Sequence, residues 1–272
     1  MSNSARLHIY WQEWQGKLET IITTRSARLL YPAVKQIARD DTSKTYGLSH
    51  PVCILHAPQK ASATRRAKRM HILIDGTFRL EEASDHPCLK HASCNITLFD
   101  PVDLDDGSLN LVLIDALHFD VESPEREGAR RRFHPFFHVQ RGISHDDADI
   151  KSVFSQATRL DIDQITVDQS AKDSIGHPYL RIPTPQLDLF SVMTMVAADC
   201  FCNAGDAEAE ARSGRTTPKA ADTNIEALFV SLLQLLTQST NVVRETDTAQ
   251  VLTQRVIDKQ WMSAGHWYPE WS

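Results

Sequence analysis

Histidine occurs twelve times in these 272 residues, and its imidazole is the side chain that changes charge near neutral pH and the commonest metal ligand. Two of the twelve fall in the run Phe133-His134-Pro135-Phe136-Phe137-His138-Val139. On a helix, residues four apart share a side and can grip a metal as a pair. Pro135 and the surrounding aromatic residues favour extended chain instead. Residues four apart on a strand are separated by roughly 13 Å at about 3.3 Å per residue. Zinc–nitrogen bonds of about 2 Å cannot bridge that gap, so chelation within one strand fails on distance.

Pairing across strands succeeds where chelation along one strand fails. Directly opposed side chains of an antiparallel pair have Cβ atoms about 5 Å apart. If residues 109–121 and 132–141 are the arms of a hairpin, His118 and Asp120 share a face with His134 and His138. An Asp120–His134 or His118–His134 pair would then be a proton-transfer couple or half of a metal site. The competing expectation is an ordinary solvated sheet face, or histidines hydrogen-bonded under a covering helix. Asp115 stands on the otherwise apolar side of its strand, where an unpaired carboxylate is costly. A bulge that re-aims it or a cation that meets it is expected, with Arg141 and Arg181 as the candidate partners.

Other clusters carry weaker chemistry. In His86-Pro87-Cys88-Leu89-Lys90-His91-Ala92-Ser93-Cys94 the ligand types suit zinc if the chain turns between them, but no C-x-x-C knuckle is present. Reduced cysteines in and beside a loop are the expectation there. Cys200 and Cys202, one residue apart on an expected helix, point in different directions. Arg65, Arg66, Lys68 and Arg69 form one basic run, and Arg126, Arg130, Arg131 and Arg132 another. Solvated loops are the first expectation for both; as both adjoin expected strands, the alternative is that they converge on one edge to hold the phosphates of a nucleotide or nucleic acid. Aromatic residues that would stack bases are not interleaved in either run. There is no Gly-rich phosphate loop, G-x-S-x-G elbow or H-E-x-x-H. Asp188 and Asp199 are about 16 Å apart at 1.5 Å per residue on the expected helix, too far for a carboxylate pair.

The elements that must position these groups follow from periodicity. Leu7, Trp11, Trp14, Leu18, Ile21 and Ile22 recur at spacings of three and four, which predicts a helix; Val34 and Ile37 extend the stripe, so residues 1–47 read as helical. Period two then takes over across 48–145, in 70–80, 94–98, 109–121 and 132–141, with 53–56 as a further strand. Polar turns such as Asp105-Asp106-Gly107 make an antiparallel meander the economical arrangement. After 145 the pattern turns helical again. Thr184-Pro185 opens a helix over 187–201 that is apolar almost all round and therefore central. Residues 203–222 read as a mobile loop, Thr223 and Glu226 as a capping box, and 248–261 as a last helix. All five tryptophans lie near the ends of the chain, which suggests that the ends pack together and close one domain; the alternative is an aromatic tail that docks into a partner.

Composition sets outer bounds. The chain is 42% hydrophobic and 24% charged, with net charge −6, ordinary for one globular domain and unsuited to whole-surface adhesion to nucleic acid. No apolar stretch approaches a membrane span. Five cysteines at wide spacing, with no secretion pattern at the start, point to reduced thiols and a cytoplasmic address.

FHPFFHVQRG, LRIPTPQLDLFSVMTMVAAD and the closing GHWYPEW resemble small uncharacterised bacterial families encoded near mobile or phage-defence genes. The resemblance implies a component of a bacterial multi-protein system, and it assigns no catalytic role to any residue. The combined expectation is an α+β domain: an N-terminal helical segment, an antiparallel sheet of four to five strands and a C-terminal helical layer on one face. The leading functional expectation is a non-enzymatic binding or assembly module with another protein subunit as partner and no cofactor. The alternative is a hydrolase acting on a phosphodiester or nucleotide. It would use His118, Asp120, His134 and His138 as acid–base or metal-binding groups, with Arg132, Arg141 and Arg181 on the substrate.

Overall fold

The computed structural model describes residues 3–24, 27–30, 34–39, 43–58, 69–81, 88–122, 137–142, 145–171, 182–183, 189–202, 227 and 230–231. Helix α1, Asn3–Thr24, opens the chain and buries Leu18, Ile21 and Ile22, the spacing of one helical face. Beyond it the helical expectation for residues 1–47 is corrected. Strands β1 (Arg28–Leu30), β2 (Val34–Arg39) and β3 (Ser43–Leu48) occupy that section. The reason is local: the β2–β3 register shifts between Gln36 and Ala38. A bulge there inserts one extra residue and puts Val34 and Ile37 at a helix-like spacing on extended chain.

The meander expected for the middle of the chain is present as β4 (Val52–Pro58), β5 (Arg69–Glu81), β6 (Cys88–Asp103), β7 (Leu109–Glu122) and β8 (Phe137–Arg141), each antiparallel to the next. The β6–β7 turn is closed by Leu104 N–H donating to Ser108 O at 2.9 Å. Gly107 supplies the positive φ of 80° that the turn requires. Shorter strands extend this frame to a ten-stranded mixed sheet among the described residues. β1 pairs with β4 and β3 with β5; β9 (Ile165–Asp168) runs parallel to β7, and β10 (Ile182–Pro183) lies beside β8.

Helices cover both faces, not one. Helix α3, Leu189–Ala197, continues through a π-helical segment, Ala198–Cys202. Its Val192, Met193, Val196, Ala197 and Phe201 join α1 and one sheet face in a first core, with Ile54, Ile72, Ile74 and Ile96. This bears out the central, buried character expected of that helix. On the opposite face α2, Asp147–Thr158, buries Ile150, Val153, Phe154 and Ala157 against Leu55, Leu73, Phe99, Leu111 and Leu113. In β4 Val52, Ile54 and Ala57 serve the first core and Cys53 and Leu55 the second, which explains its unbroken apolar run.

Where the capping box expects a helix, Ala227, Val230 and Ser231 are helical, and Lys17 Nζ donates to Ser231 Oγ. The expectations for loop 203–222, helix 248–261 and the tryptophan side chains lie outside the described residues. No helix among the described residues is long and apolar enough to cross a membrane.

Candidate active site

The face of the sheet that carries α2 changes character along its strands. Leu73, Phe99, Leu111 and Leu113 lie under the helix, but alternation from Leu73 brings polar residues onto the same face further along. Register aligns them into rungs. Asp75 pairs with Asn95, Asn95 with His118 and His118 with Gln140, across β5 to β8. The next rung runs Thr77, Ser93, Asp120, His138, Pro183. Four adjacent strands thus contribute one polar patch, which no single segment could assemble.

Asp120 is its focus. His118, two residues earlier on the same face, places Nε2 2.6 Å from Asp120 Oδ2, and His138 Nε2 approaches the same oxygen at 3.6 Å. The first is a short charge-assisted contact with the nitrogen donating; the second is beyond hydrogen-bond length but electrostatically close. Asn95 Oδ1 faces His118 Nδ1. An amide half-turn exchanges its oxygen and nitrogen. With nitrogen toward Nδ1, His118 is the Nε2–H tautomer, donating to Asp120 and accepting from Asn95. Access differs sharply: side-chain exposure is 19% for His118, 12% for Asp120 and 1% for His138. His118 is therefore the most accessible of the three, and His138 backs the carboxylate from inside.

A second pair borders this group. His145 immediately precedes Asp146, the N-cap of α2, whose side chain accepts from Asp149 N–H at 2.8 Å. His145 Nδ1 lies 3.2 Å from Thr97 Oγ1 and Nε2 3.9 Å from Asp75 Oδ2. Burial raises the Asp75 carboxyl above the usual carboxylate range, opposed by a hydrogen bond from Gly76 N–H. Burial likewise lowers His145, opposed by Asp75. Both shifts favour the uncharged forms. His145 Nε2 and Gln140 Oε1 are shut from solvent with no hydrogen-bond partner among the described residues, which is uncommon for buried polar atoms.

The structure therefore brings together His118, Asp120 and His138. It gives Asp120 His138 as its cross-strand neighbour, not His134; the pairings with His134 are corrected by the register. His134, Arg132 and Arg181 lie outside the described residues, as do Arg65, Arg66, Lys68, Arg130 and Arg131. Arg141 is opposite Leu117, on the other side of β8 from His138 and Gln140, and is held by Asp115 at 2.9 Å. That is the ion pair expected for Asp115, and it takes Arg141 out of the substrate-binding set. The two basic runs were expected on one edge. Their described anchors, Arg69 at the start of β5 and Phe137 at the start of β8, stand at opposite ends because those strands are antiparallel.

Sequence reasoning missed Asp75, Asn95, Thr97 and His145. Asp75 was visible as a polar residue on a half-wet strand, but His145 meets Thr97 across 48 positions, and only the helix N-cap beside it marks its place. Among the described residues no group of three or more His, Cys, Asp or Glu converges as a metal ion requires. Cys94 is buried in the first core, and the remainder of the 86–94 cluster has no described side-chain geometry. Comparisons with protein-family models, curated proteins and solved structures each return no match.

Proposed function

We propose that this protein is a His/Asp-dependent hydrolase, with a phosphodiester or nucleotide as substrate and Asp120 as the carboxylate that organises its acid–base group. The observation that carries the reading is the approach of two imidazoles from two strands to one carboxylate oxygen, at 2.6 and 3.6 Å. Asp120 fixes the Nε2–H tautomer of His118, so Nδ1 is the basic position. A water that replaces Asn95 there gives its proton to Nδ1 while its oxygen attacks phosphorus. The departing oxygen takes a proton from Asp75, whose raised carboxyl keeps one at higher pH than an exposed aspartate does. Asp75 and His118 stand two strands apart, roughly 10 Å at about 4.8 Å per strand. A displacement flanked by one hydrogen bond of about 2.8 Å on each side spans roughly 9 Å, so one phosphoryl centre fits between them over Asn95.

Support for an anionic substrate comes from the β7–β8 connection. It carries Arg126, Arg130, Arg131 and Arg132 and is anchored at Glu122 and Phe137, next to the Asp120–His138 pair.

The test is hydrolysis of bis(p-nitrophenyl) phosphate and of cyclic and linear nucleotides by the wild-type protein and by His118→Ala and Asp120→Asn. The reading expects turnover in the wild type, falling about 10²- to 10⁴-fold in each variant, the range for loss of an acid–base group. Turnover that survives both changes refutes it. So does an inert wild type, which would return the protein to the assembly-module reading that its bacterial resemblance suggests.

A further inference from the structure

A cavity of about 830 Å³ opens at the far end of α2 from the histidine cluster. It is bounded by β1, β4, β5, the end of β6 and the last turn of α2. Its floor is built around a distorted strand. The β4–β5 register shifts between Ile54 and Ala57, and His56 adopts φ 60°, a left-handed conformation that residues other than glycine rarely hold and that clusters at ligand sites. Side chains lining the cavity clamp both backbone groups of His56. Its N–H donates to His71 Nδ1 at 3.1 Å, and its carbonyl accepts from Arg69 Nη1 at 3.1 Å. His71 is 2% exposed and stacks on Phe154 of α2, with ring centroids 5.5 Å apart. Because Nδ1 accepts a hydrogen bond, the neutral ring carries its proton on Nε2.

Charge is distributed unevenly across this wall. Arg28 of β1 and Arg69 of β5 make one side cationic, and Asp100 and Asp103 of β6 make the other anionic. Strand order β1-β4-β5-β6 separates the two outer poles by three strand spacings, roughly 14 Å between backbones, shortened by the side chains that reach in. A ligand that serves both poles needs an anion at one end and N–H or O–H donors at the other. The ammonium and carboxylate of an α-amino acid stand too close together to do so. A nucleoside phosphate has the length, and its volume suits a cavity of this size.

We propose that this cavity is a binding site for a nucleoside phosphate, with its phosphate toward Arg28 and its base edge toward Asp103. The site is separate from the Asp120 group and does not depend on the hydrolase reading.

Calorimetric titration of the full chain with AMP, GMP, CMP, UMP and inorganic phosphate tests it. At least one nucleotide is expected to bind, with inorganic phosphate weaker by about tenfold or more, since it reaches one pole only. Arg28→Ala and Asp103→Ala are expected each to weaken nucleotide binding by about tenfold or more. Both residues are exposed, and thermal melts confirm that the variants fold. Asp120→Asn is expected to leave this affinity unchanged while it removes hydrolysis, so failure of one proposal is distinguishable from failure of the other. Absence of nucleotide binding, equal affinity for inorganic phosphate, or binding lost in Asp120→Asn but retained in the Arg28 and Asp103 variants would overturn the assignment.

Discussion

Individual side chains in this protein are tuned mainly by burial. The His71 imidazole is lowered to about 4, chiefly by desolvation, with repulsion from His56 second, opposed by a hydrogen bond to the Met70 backbone and then by Asp103. An unfolded histidine titrates near 6.5, so between these values the unfolded chain holds a proton that the folded chain does not. The contribution of His71 is therefore complete above about pH 6.5 and is lost as the pH falls toward 4, a change of about 3 kcal/mol. Denaturant melts at pH 7 and pH 4.5 are expected to show this loss. His71→Asn, which keeps an acceptor for the His56 N–H, is expected to flatten it, and a slope that persists in the variant contradicts the assignment. Asp75 behaves in the opposite sense. Its folded carboxyl is raised, so its contribution is complete below the unfolded value and is lost as pH rises through the folded one. Asp75→Asn is expected to melt higher than wild type at pH 7, with the advantage vanishing near pH 3, while hydrolysis slows because the leaving oxygen loses its proton donor. Burial also raises the Cys53 thiol far above its ordinary value; thiol reagents at pH 8 are expected to label it only on unfolding.

At the scale of elements, α2 joins the two sites: His145 precedes its first turn, and Phe154 supports His71. Ile150, Val153, Phe154 and Ala157 hold it to the sheet, and the Asp146 side chain satisfies an orphan N–H at its start. Asp146→Ala is expected to cost about 1 kcal/mol and Phe154→Ala about 3–5 kcal/mol. Arg159, the C-cap, has φ 66°; Arg159→Gly is expected to stabilise by up to about 1 kcal/mol, since glycine adopts that conformation without penalty. Denaturant titration measures all three. The legibility of elements in the sequence follows the same physics. Where β5 and β7 carry the polar patch, one face lies in the first core and the other is polar, as in Ile74 against Asp75 and Phe119 against His118 and Asp120, so period two reveals them. β2 carries a register shift at Gln36–Ala38, which converts a strand pattern into a helix-like spacing of Val34 and Ile37. Asp115 combined two signals, since the β6–β7 register shifts at Leu98/Phe99 and Arg141 meets the carboxylate; both were foreseeable from one misplaced charge.

At the scale of the molecule, the sheet is a partition with helices on both faces, and the sequence reading placed a helical layer on one. Val52-Cys53-Ile54-Leu55 was the available signal: an unbroken apolar run marks a strand buried on both sides, but a run so short is equally compatible with a buried helix segment. The candidate site was legible in part: His118, Asp120 and His138 are chemically conspicuous, whereas Asp75, Asn95, Thr97 and His145 join them only through the strand register and the start of α2. Its register was not, because sequence alone does not fix which residues of β7 and β8 face each other, and a shift of one residue would turn every side chain to the other face. The proposed mechanism rests on that register and on an Nε2–H tautomer at His118. Two-bond ¹H–¹⁵N spectra of the imidazoles, recorded for wild type and Asp120→Asn, test it most directly. The account expects His118 as the Nε2–H tautomer with a deshielded, slowly exchanging proton that disappears in Asp120→Asn, together with a shift at His138. A His118 ring protonated on Nδ1, or a pattern at both histidines indifferent to Asp120→Asn, would contradict it.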